Sequence, residues 1–162
     1  MSDPIVRIAI PDDAESIFRL IGEFAEFDGR PQRVKTDVEC VRDLLAASSP
    51  PVQFIVAEIE RRTIGFASFY RTFSTAAGEC GLCLEDLFVQ EASRRHGVGK
   101  LLMRFVAQVG LQTGCGRMEW TVGLENAVGI GFYESIGARV RLNTRVCRLP
   151  AEAMSSLAAG VA

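Results

Sequence analysis

The residues best suited to chemistry form a basic segment with two glycines, Arg94-Arg95-His96-Gly97-Val98-Gly99-Lys100. It follows a strand-like run and opens a helix with a continuous apolar stripe. The first turn of a helix has unpaired N–H donors and the positive end of the helix dipole, so it binds phosphate readily. Gly97 and Gly99 let the backbone approach an anion closely because they lack a Cβ atom. The segment therefore predicts an anion site, and a tight turn with solvated basic side chains is the alternative.

Two common phosphate motifs do not fit this segment. A P-loop needs a glycine five residues before Gly99 and a serine or threonine after the lysine, but Arg94 and Leu101 stand at those positions. A dinucleotide-binding fingerprint needs a third glycine where Leu102 stands. An anion bound here is therefore held by a different arrangement.

Two adjacent carboxylates interrupt the apolar strand Leu84-Glu85-Asp86-Leu87-Phe88-Val89 just upstream. Strict alternation along a strand places Glu85 and Asp86 on opposite faces. A partly desolvated carboxylate has a raised pKa and can accept a proton. An alkyl ammonium needs such an acceptor, because its reference pKa of about 10.4 makes deprotonation at pH 7 cost roughly 4–5 kcal/mol. Glu85 is therefore a candidate general base, and an ion pair at the strand surface is the alternative.

These residues lie within a regular succession of predicted elements. In chain order the patterns predict a strand at 5–10, helices at 12–28 and 36–45, strands at 53–60, 63–73 and 80–90, a helix at 98–109, a strand at 118–122, a short helix at 126–136, a strand at 138–149 and a small last helix from 150. The order β-α-α-β-β-β-α-β-α-β predicts a mixed α/β fold with a mainly antiparallel sheet flanked by helices. One domain is expected over residues 1–162, with a tail that frays after about residue 157.

Composition narrows the class of protein. Of 162 residues 48% are hydrophobic, and 18 basic against 20 acidic side chains give a net charge of −2, which speaks against disorder and a polybasic nucleic-acid surface. The longest uncharged stretch, residues 44–57, is broken by Pro50 and Pro51, so no membrane span is expected. Residues 1–4 carry an acid and no cationic leader. We therefore expect a cytoplasmic protein that binds neither nucleic acid nor membrane.

The cysteines do not suggest a metal site. They are odd in number and scattered, at Cys40, Cys80, Cys83, Cys115 and Cys147, and His96 is the one histidine of the chain. A structural zinc site needs about four ligands. We expect reduced, buried thiols and no metal.

Three segments together resemble the GNAT superfamily of N-acetyltransferases. Residues 94–99 are similar to its R/Q-x-x-G-x-G/A signature, between a strand and a long helix as in that family. Residues 126–138, with an asparagine near a helix start and a tyrosine before a glycine turn, resemble its second cofactor segment. Residues 84–89 resemble the diamine branch, of the spermidine/spermine or thialysine type. The predicted element order fits that fold from about residue 5 to residue 149.

The resemblance implies acetyl transfer from acetyl-CoA to a primary amine, with no metal. In that family two central strands, here 84–89 and the strand after Met118, splay apart, and the pantetheine arm pairs with backbone groups between them. The pyrophosphate then lies on the N–H groups of the basic segment. The implied cofactor-binding residues are Leu87, Phe88, Val89, Arg94, Arg95, His96, Gly97, Val98, Gly99, Lys100 and Asn126. The resemblance also implies a homodimer.

The resemblance assigns catalytic roles as well. It makes Glu85 the general base, often through a water, and Tyr133 the acid that protonates the leaving thiolate after direct attack in a ternary complex. Tyr133 could instead anchor its helix, and Asn126 could act only as a helix cap. His96 is expected to be a solvated loop residue rather than a second base.

The acceptor is less well defined than the cofactor. Glu26, Asp28 and Asp86 are candidate ligands of a small primary amine, either a diamine, a polyamine or an amino-acid-like molecule. The turn at residues 75–79 departs from the polyamine enzymes, which weakens the match to a long polycation. Two alternatives remain open, namely a non-catalytic acyl-CoA-binding or partner-binding module and transfer of a different acyl group.

Overall fold

Five strands and five α-helices make up the computed structural model, which describes residues 3–160. In chain order they are β1 (Ile5–Ile8), α1 (Ala14–Phe27), α2 (Val38–Ala46), β2 (Gln53–Ile59), β3 (Arg62–Ser74), β4 (Glu79–Val89), α3 (Val98–Gln112), β5 (Cys115–Glu119), α4 (Ala127–Ser135) and α5 (Ala151–Ala158). The expectations for the leader and the frayed tail fall partly on residues 1–2 and 161–162, which lie outside the described residues.

The strands form one sheet in the order β1-β2-β3-β4-β5. β1 to β4 are an antiparallel meander, and β5 runs parallel to β4. The predicted mixed α/β class with a mainly antiparallel sheet flanked by helices is therefore confirmed. β5 is the edge strand, however, so a separation between β4 and β5 lies at one side of the sheet and not between central strands.

Backbone contacts divide the chain into two units, Met1–Thr121 and Val122–Ala162. The first contains the whole sheet with α1, α2 and α3, and the second contains α4 and α5. A single acetyltransferase-like domain over residues 1–162 stays a prediction.

Helices cover both faces of the sheet in the first unit. The buried face of α1, with Ile17 and Leu20, packs with Phe66 and Phe88 of the sheet in one apolar cluster. The stripe of α3 covers the other face, where Gly110 lets the helix approach Leu82 closely. A Cβ atom at residue 110 would lie 3.1 Å from Leu82 Cδ1. The two helical layers thus hold β4 between them.

Two predicted strands differ from the structure. β5 begins at Cys115 rather than Met118, because Gly114 ends the α3 turn with a φ of +74° and the strand starts at once. The strand predicted at 138–149 is wrong, since the described chain forms no strand there. Its alternating letters suit a strand, but a strand also needs a hydrogen-bonding neighbour, and none of the described strands pairs with it.

Candidate active site

β4 and β5 separate part-way along β4. Their parallel pairing ends where Cys83 lies opposite Glu119, the last residue of β5. β4 continues through residues 84–89, and no other described strand pairs with that edge. The pairing of β4 with β5 therefore stops where the family resemblance implies that the two strands part, and we call the side of β4 at residues 84–89 that no described strand pairs with the gap.

Strand alternation identifies which backbone groups face this gap. The N–H of Gln90 donates to the carbonyl oxygen of Ile64 on β3, at 2.9 Å. Because hydrogen-bonding groups alternate along a strand, Phe88 directs its groups toward β3, and Leu87 and Val89 direct theirs toward the gap. These two are the residues whose backbone was predicted to pair with a pantetheine arm.

A β-bulge lies where the gap begins. The register passes from Ser68 opposite Asp86 to Phe69 opposite Leu84, so that Glu85 is an extra residue. A bulge re-aims side chains and interrupts strand alternation. Strict alternation is therefore interrupted at this step, and the placement of Glu85 and Asp86 on opposite faces stays a prediction. Glu85 is exposed, and Asp86 is half-buried.

Burial raises the pKa of the Asp86 carboxyl above its usual value. The Ser68 hydroxyl opposes this shift by donating to Asp86 Oδ2 at 2.8 Å, and the nearby charge of Glu85 adds to it. The two carboxyl groups thus have different environments on adjacent residues.

Tyr70 is a site residue that the sequence analysis missed. It lies opposite Cys83 in the register between β3 and β4. Interaction with the Cys83 thiol, with burial and the charge of Glu85, raises the pKa of Tyr70 to about 12. Its place beside the carboxylates depends on the register between β3 and β4, which the bulge shifts. No local motif around residue 70 signals that register.

The predicted anion segment folds as a sharp turn into α3. Arg95 and Gly97 both have left-handed φ angles, +64° and +79°, and Val98 anchors the first turn in the core. Left-handed residues in a loop turn successive N–H groups toward one side and can form an anion-binding concavity. A cavity of about 470 Å³ borders this turn and is lined by Asp3, Pro4, His96, Gly97, Lys100, Leu101 and Arg104. Arg104 was not among the predicted residues, although it lies one helical turn after Lys100.

The Arg94 side chain packs against the strand and α1. Its Nε donates to the carbonyl oxygen of Val89 at 2.9 Å. Its guanidinium carbon lies 4.3 Å from the ring centroid of Phe27 and 5.5 Å from that of Phe88. Arg94 therefore ties the end of β4 to α1, and a cofactor contact by this residue stays a prediction.

The remaining predicted residues are exposed or belong to the second unit. Glu26 is exposed on the last turn of α1, and Asp28 pairs with Arg30 at 3.5 Å. Asn126 caps α4 by accepting the N–H of Gly129 at 2.9 Å, as predicted. Burial raises the pKa of the Tyr133 phenol. The roles of these residues toward substrate or cofactor stay predictions.

Gly129 has a structural reason within that cap. A Cβ atom at residue 129 would lie 2.7 Å from Nδ2 of Asn126. Glycine at residue 129 therefore makes room for the capping side chain of Asn126.

Residues 3–160 contain neither a metal-binding cluster nor a membrane-spanning helix. No group of three or more His, Cys, Asp or Glu side chains in that part of the chain is arranged to hold a metal ion. None of the helices there combines the length and the apolar character needed to cross a bilayer.

The family model that matches this chain is the acetyltransferase (GNAT) family, over residues 15–138. The chain belongs to that family. GNAT enzymes use acetyl-CoA as a cosubstrate and share an acyltransferase fold. The resemblance drawn from the three motifs is thus confirmed.

Curated relatives include N-acetyltransferases that act on amines. A thialysine N-epsilon-acetyltransferase from Sus scrofa is 29% identical over 147 residues, which cover 86% of each chain. An L-ornithine N5-acetyltransferase from Arabidopsis thaliana is 39% identical over 93 residues, 57% of this chain and 41% of that relative. The likeness to the diamine branch is confirmed by these relatives.

Solved structures share the fold. A Vibrio cholerae integron cassette protein superimposes with a TM-score of 0.80 at 22% identity, covering 98% of both chains. An aminoglycoside acetyltransferase solved in complex with sisomicin gives a TM-score of 0.75 at 18% identity, covering 91% of this chain and 97% of the other. At these identities the comparison supports the GNAT fold alone.

Proposed function

We propose that this protein transfers the acetyl group of acetyl-CoA to a primary amine of a small molecule, by direct attack in a ternary complex. The observation that carries the proposal is the open edge of β4 at residues 84–89. Two carboxylates stand at the start of that edge, and the turn into α3 follows its end. A thioester held along the edge would meet an amine held by the carboxylates.

The cofactor would bind through the backbone. Leu87 and Val89 would pair with the pantetheine arm in the manner of an added strand, which supplies affinity through main-chain hydrogen bonds. The pyrophosphate would lie on the N–H groups from Arg95 to Lys100, at the positive end of the α3 dipole. Phe88, Arg94, His96, Val98 and Asn126 complete the proposed set. The thioester supplies an activated acetyl group.

The proposed chemistry separates proton removal from proton delivery. Glu85 takes a proton from the acceptor ammonium through a water, and the nitrogen lone pair then attacks the carbonyl carbon. The C–N bond forms, the C–S bond breaks and Tyr133 protonates the leaving sulfur. The nitrogen loses its second proton as the amide forms, that proton restores the Tyr133 hydroxyl through solvent, and Glu85 releases the first proton to solvent. A strand N–H can stabilise the oxyanion that develops during attack. The raised pKa of Tyr133 keeps its hydroxyl protonated at neutral pH, as an acid requires.

The acceptor is proposed to be a diamine or an amino-acid-like molecule with a terminal amino group. Relatives are named for thialysine, ornithine and spermidine/spermine, all of which carry such a group. Adjacent carboxylates at Glu85 and Asp86 suit an ammonium ion. Glu26 and Asp28, on the last turn of α1 and just after it, are further candidate ligands.

Isothermal titration with acetyl-CoA and a thiol-release assay over a panel of amines test the proposal. We expect micromolar binding and thiol release with at least one of ornithine, thialysine, 1,4-diaminobutane and spermidine. Binding without release for every amine would favour the non-catalytic module, and no binding would end the acetyltransferase proposal. The same assay with propionyl-CoA and succinyl-CoA tests the acyl group.

A homodimer is also proposed. Among the described residues, the exposed large apolar side chains of the second unit are Leu124, Val128, Val140, Leu142, Val146, Leu149, Met154 and Leu157. A run of this kind is suited to burial against another chain. Light scattering coupled to size exclusion should give twice the 17.7 kDa chain mass.

A cytoplasmic location is proposed on chemical grounds. All five cysteines are free thiols, which is typical of a reducing compartment. The expectation that they are buried is correct for Cys115 and wrong for Cys40 and Cys147, which are exposed. Fractionation with thiol labelling checks it. Binding to nucleic acid or to a membrane is not expected.

A further inference from the structure

Ser68 is a polar residue in the most buried part of the sheet. Its side chain is 1% exposed, within a run of β3 in which residues 63–69 are all buried. In residues 3–160 the buried polar or charged side chains are Ser68, Thr63 and Asp13. A buried hydroxyl is costly unless it is hydrogen-bonded, so the partner of Ser68 explains why it is tolerated.

That partner is Asp86. Ser68 Oγ donates to Asp86 Oδ2 at 2.8 Å, and the two residues are register partners on β3 and β4. They form the last pair before the bulge at Glu85, next to the point where β5 ends. The hydroxyl therefore fixes one oxygen of a carboxylate at the start of the gap.

The second oxygen of Asp86 is available to a ligand. No donor within residues 3–160 reaches Asp86 Oδ1. The one enclosed side-chain oxygen or nitrogen without a partner in that part of the chain is Thr72 Oγ1, so Oδ1 is not sealed from solvent. A carboxylate with one oxygen fixed and the other open is suited to accept a hydrogen bond from a cation.

We propose that Ser68 is a positioning residue for the acceptor, holding Asp86 so that Oδ1 accepts a hydrogen bond from the acceptor's ammonium group. The inference rests on the proposed acetyltransferase function. The two carboxylates then have different roles. Asp86 binds the ammonium group and affects KM, whereas Glu85 removes the proton and affects kcat.

Asp86 must be ionised to bind the ammonium group in this way. Burial favours its neutral form, and the hydrogen bond from Ser68 favours the carboxylate. Removing the hydroxyl would leave burial and the charge of Glu85 unopposed, so the pKa of Asp86 would rise further. Ammonium binding would then fail at a higher pH than in the wild type.

Ionisable or charged side chains on β4 and on the elements beside it include Cys83 and Glu85 on β4, Tyr70 on β3, Arg117 and Glu119 on β5, Arg19 and Glu23 on α1, and Arg94 after β4. Arg117 and Glu119 bond to each other, Arg19 bonds to the Thr63 carbonyl, and Glu23 bonds to Gln90. Glu85 is the one whose charge acts on Asp86.

The pH dependence of kcat/KM for the amine tests the inference. In Ser68→Ala the acid limb should move to higher pH by roughly one unit, since a hydrogen bond to a charged group is worth about that much. KM for the amine should rise several-fold near pH 6.5 and return toward the wild-type value near pH 9, while kcat changes little. Ser68→Thr, which keeps a hydroxyl, should restore the wild-type profile.

Two controls separate positioning from stability. Thr63→Ala removes another buried hydroxyl from β3 and should lower Tm without moving the acid limb. Carboxyl ¹³C NMR should show the Asp86 titration moving upward in Ser68→Ala. It should also show the wild-type Asp86 resonance shifting on addition of 1,4-diaminobutane.

Each outcome bears on a different claim. An unchanged Asp86 titration in Ser68→Ala would overturn the positioning role. If the Asp86 resonance does not shift at saturating 1,4-diaminobutane, the proposal that Asp86 binds the ammonium group is wrong. Absence of thiol release from the wild type with every amine would defeat the proposed function, and the NMR titrations would still decide the role of Ser68.

Discussion

The first half of β4, residues 79–83, is paired along both edges, whereas the second half, residues 84–89, is paired along one edge only. In the closed half, Arg71 connects β3 to Cys80 and to the carbonyl of Thr113, at 3.0 and 3.3 Å. In the open half, the backbone of Leu87 and Val89 faces a gap. One strand thus provides a half that is paired on both sides and an edge that no described strand pairs with, on which Arg94 Nε bonds to the Val89 carbonyl.

The bulge at Glu85 lies at the start of the open half. It follows the buried Leu84 and contains the first of the two adjacent carboxylates, Glu85 and Asp86. The unpaired edge of β4 therefore arises because β5 ends at Glu119 while β4 continues to Val89. Substitutions in the open half should therefore change activity, and substitutions in the closed half should change stability.

The largest effect is expected for Glu85→Gln in the open half. Loss of a general base typically lowers turnover by about 10²–10⁴-fold, and acetyl-CoA affinity should change little. The matched control is Glu79→Gln, which removes a carboxylate from the closed half of the same strand. Thiol-release kinetics at saturating amine measure both. Equal losses in the two variants, or none in Glu85→Gln, would remove Glu85 from the base role.

The next largest effect is expected in the closed half of β4, and it is an effect on stability. Leu82 is 1% exposed and packs against α3 at Gly110, so Leu82→Ala should lower the free energy of unfolding by about 2–5 kcal/mol. Leu87→Ala, at a half-buried position in the open half, should cost less because its side chain gives up less contact. Denaturant unfolding measures both. A larger loss of unfolding free energy in Leu87→Ala than in Leu82→Ala would contradict the view that the closed half of β4 provides the stability.

The sequence predicts where the open half of β4 lies, but it does not predict the bulge or the register with β3. The motif at 94–100 and the strand at 84–89 locate the turn, the edge and the carboxylates, because glycine and charge have strong local meaning there. The bulge is not predictable from residues 84–89 alone, since register arises from pairing with β3. Ser68 and Tyr70 escape notice for the same reason.

Contacts between distant residues account for other differences. The cofactor role of Arg94 stays a prediction, but its contact with the ring of Phe27, which is far away in the chain, could not be read from the motif. The predicted strand at 138–149 has the right alternation and lacks a pairing partner among the described strands. Asn126 is predicted correctly because capping depends only on its own turn.

A smaller effect is expected at the turn that follows the open half. Gly97→Val places a β-branched residue at a φ of +79°, which costs about 1–2 kcal/mol and distorts the N–H groups at the start of α3. Gly114→Val is the matched control, because Gly114 has a φ of +74° at the other end of α3. A Cβ at either position meets no atom within 4 Å, so neither change adds a clash.

Both glycine variants should lose similar stability, and only Gly97→Val should weaken acetyl-CoA binding, by about tenfold or more, since backbone donors to the phosphates are lost. Isothermal titration and thermal unfolding separate the two quantities. If Gly114→Val weakens binding as much, the effect comes from helix stability and not from the anion turn.

The smallest effect is expected for Arg117→Ala, on the β5 side of the closed half. Arg117 bonds to Glu119 at 3.0 Å and lies 3.7 Å from Glu79, with its partners largely exposed. Such ion pairs contribute about 0–1 kcal/mol and are screened by salt. Arg117→Ala should therefore lower Tm by a few degrees at most, and less in 1 M salt than in 0.1 M salt. The amine KM should stay at the wild-type value, because these side chains lie before the point where the strands part; a raised KM would mean that the closed half reaches into the acceptor site.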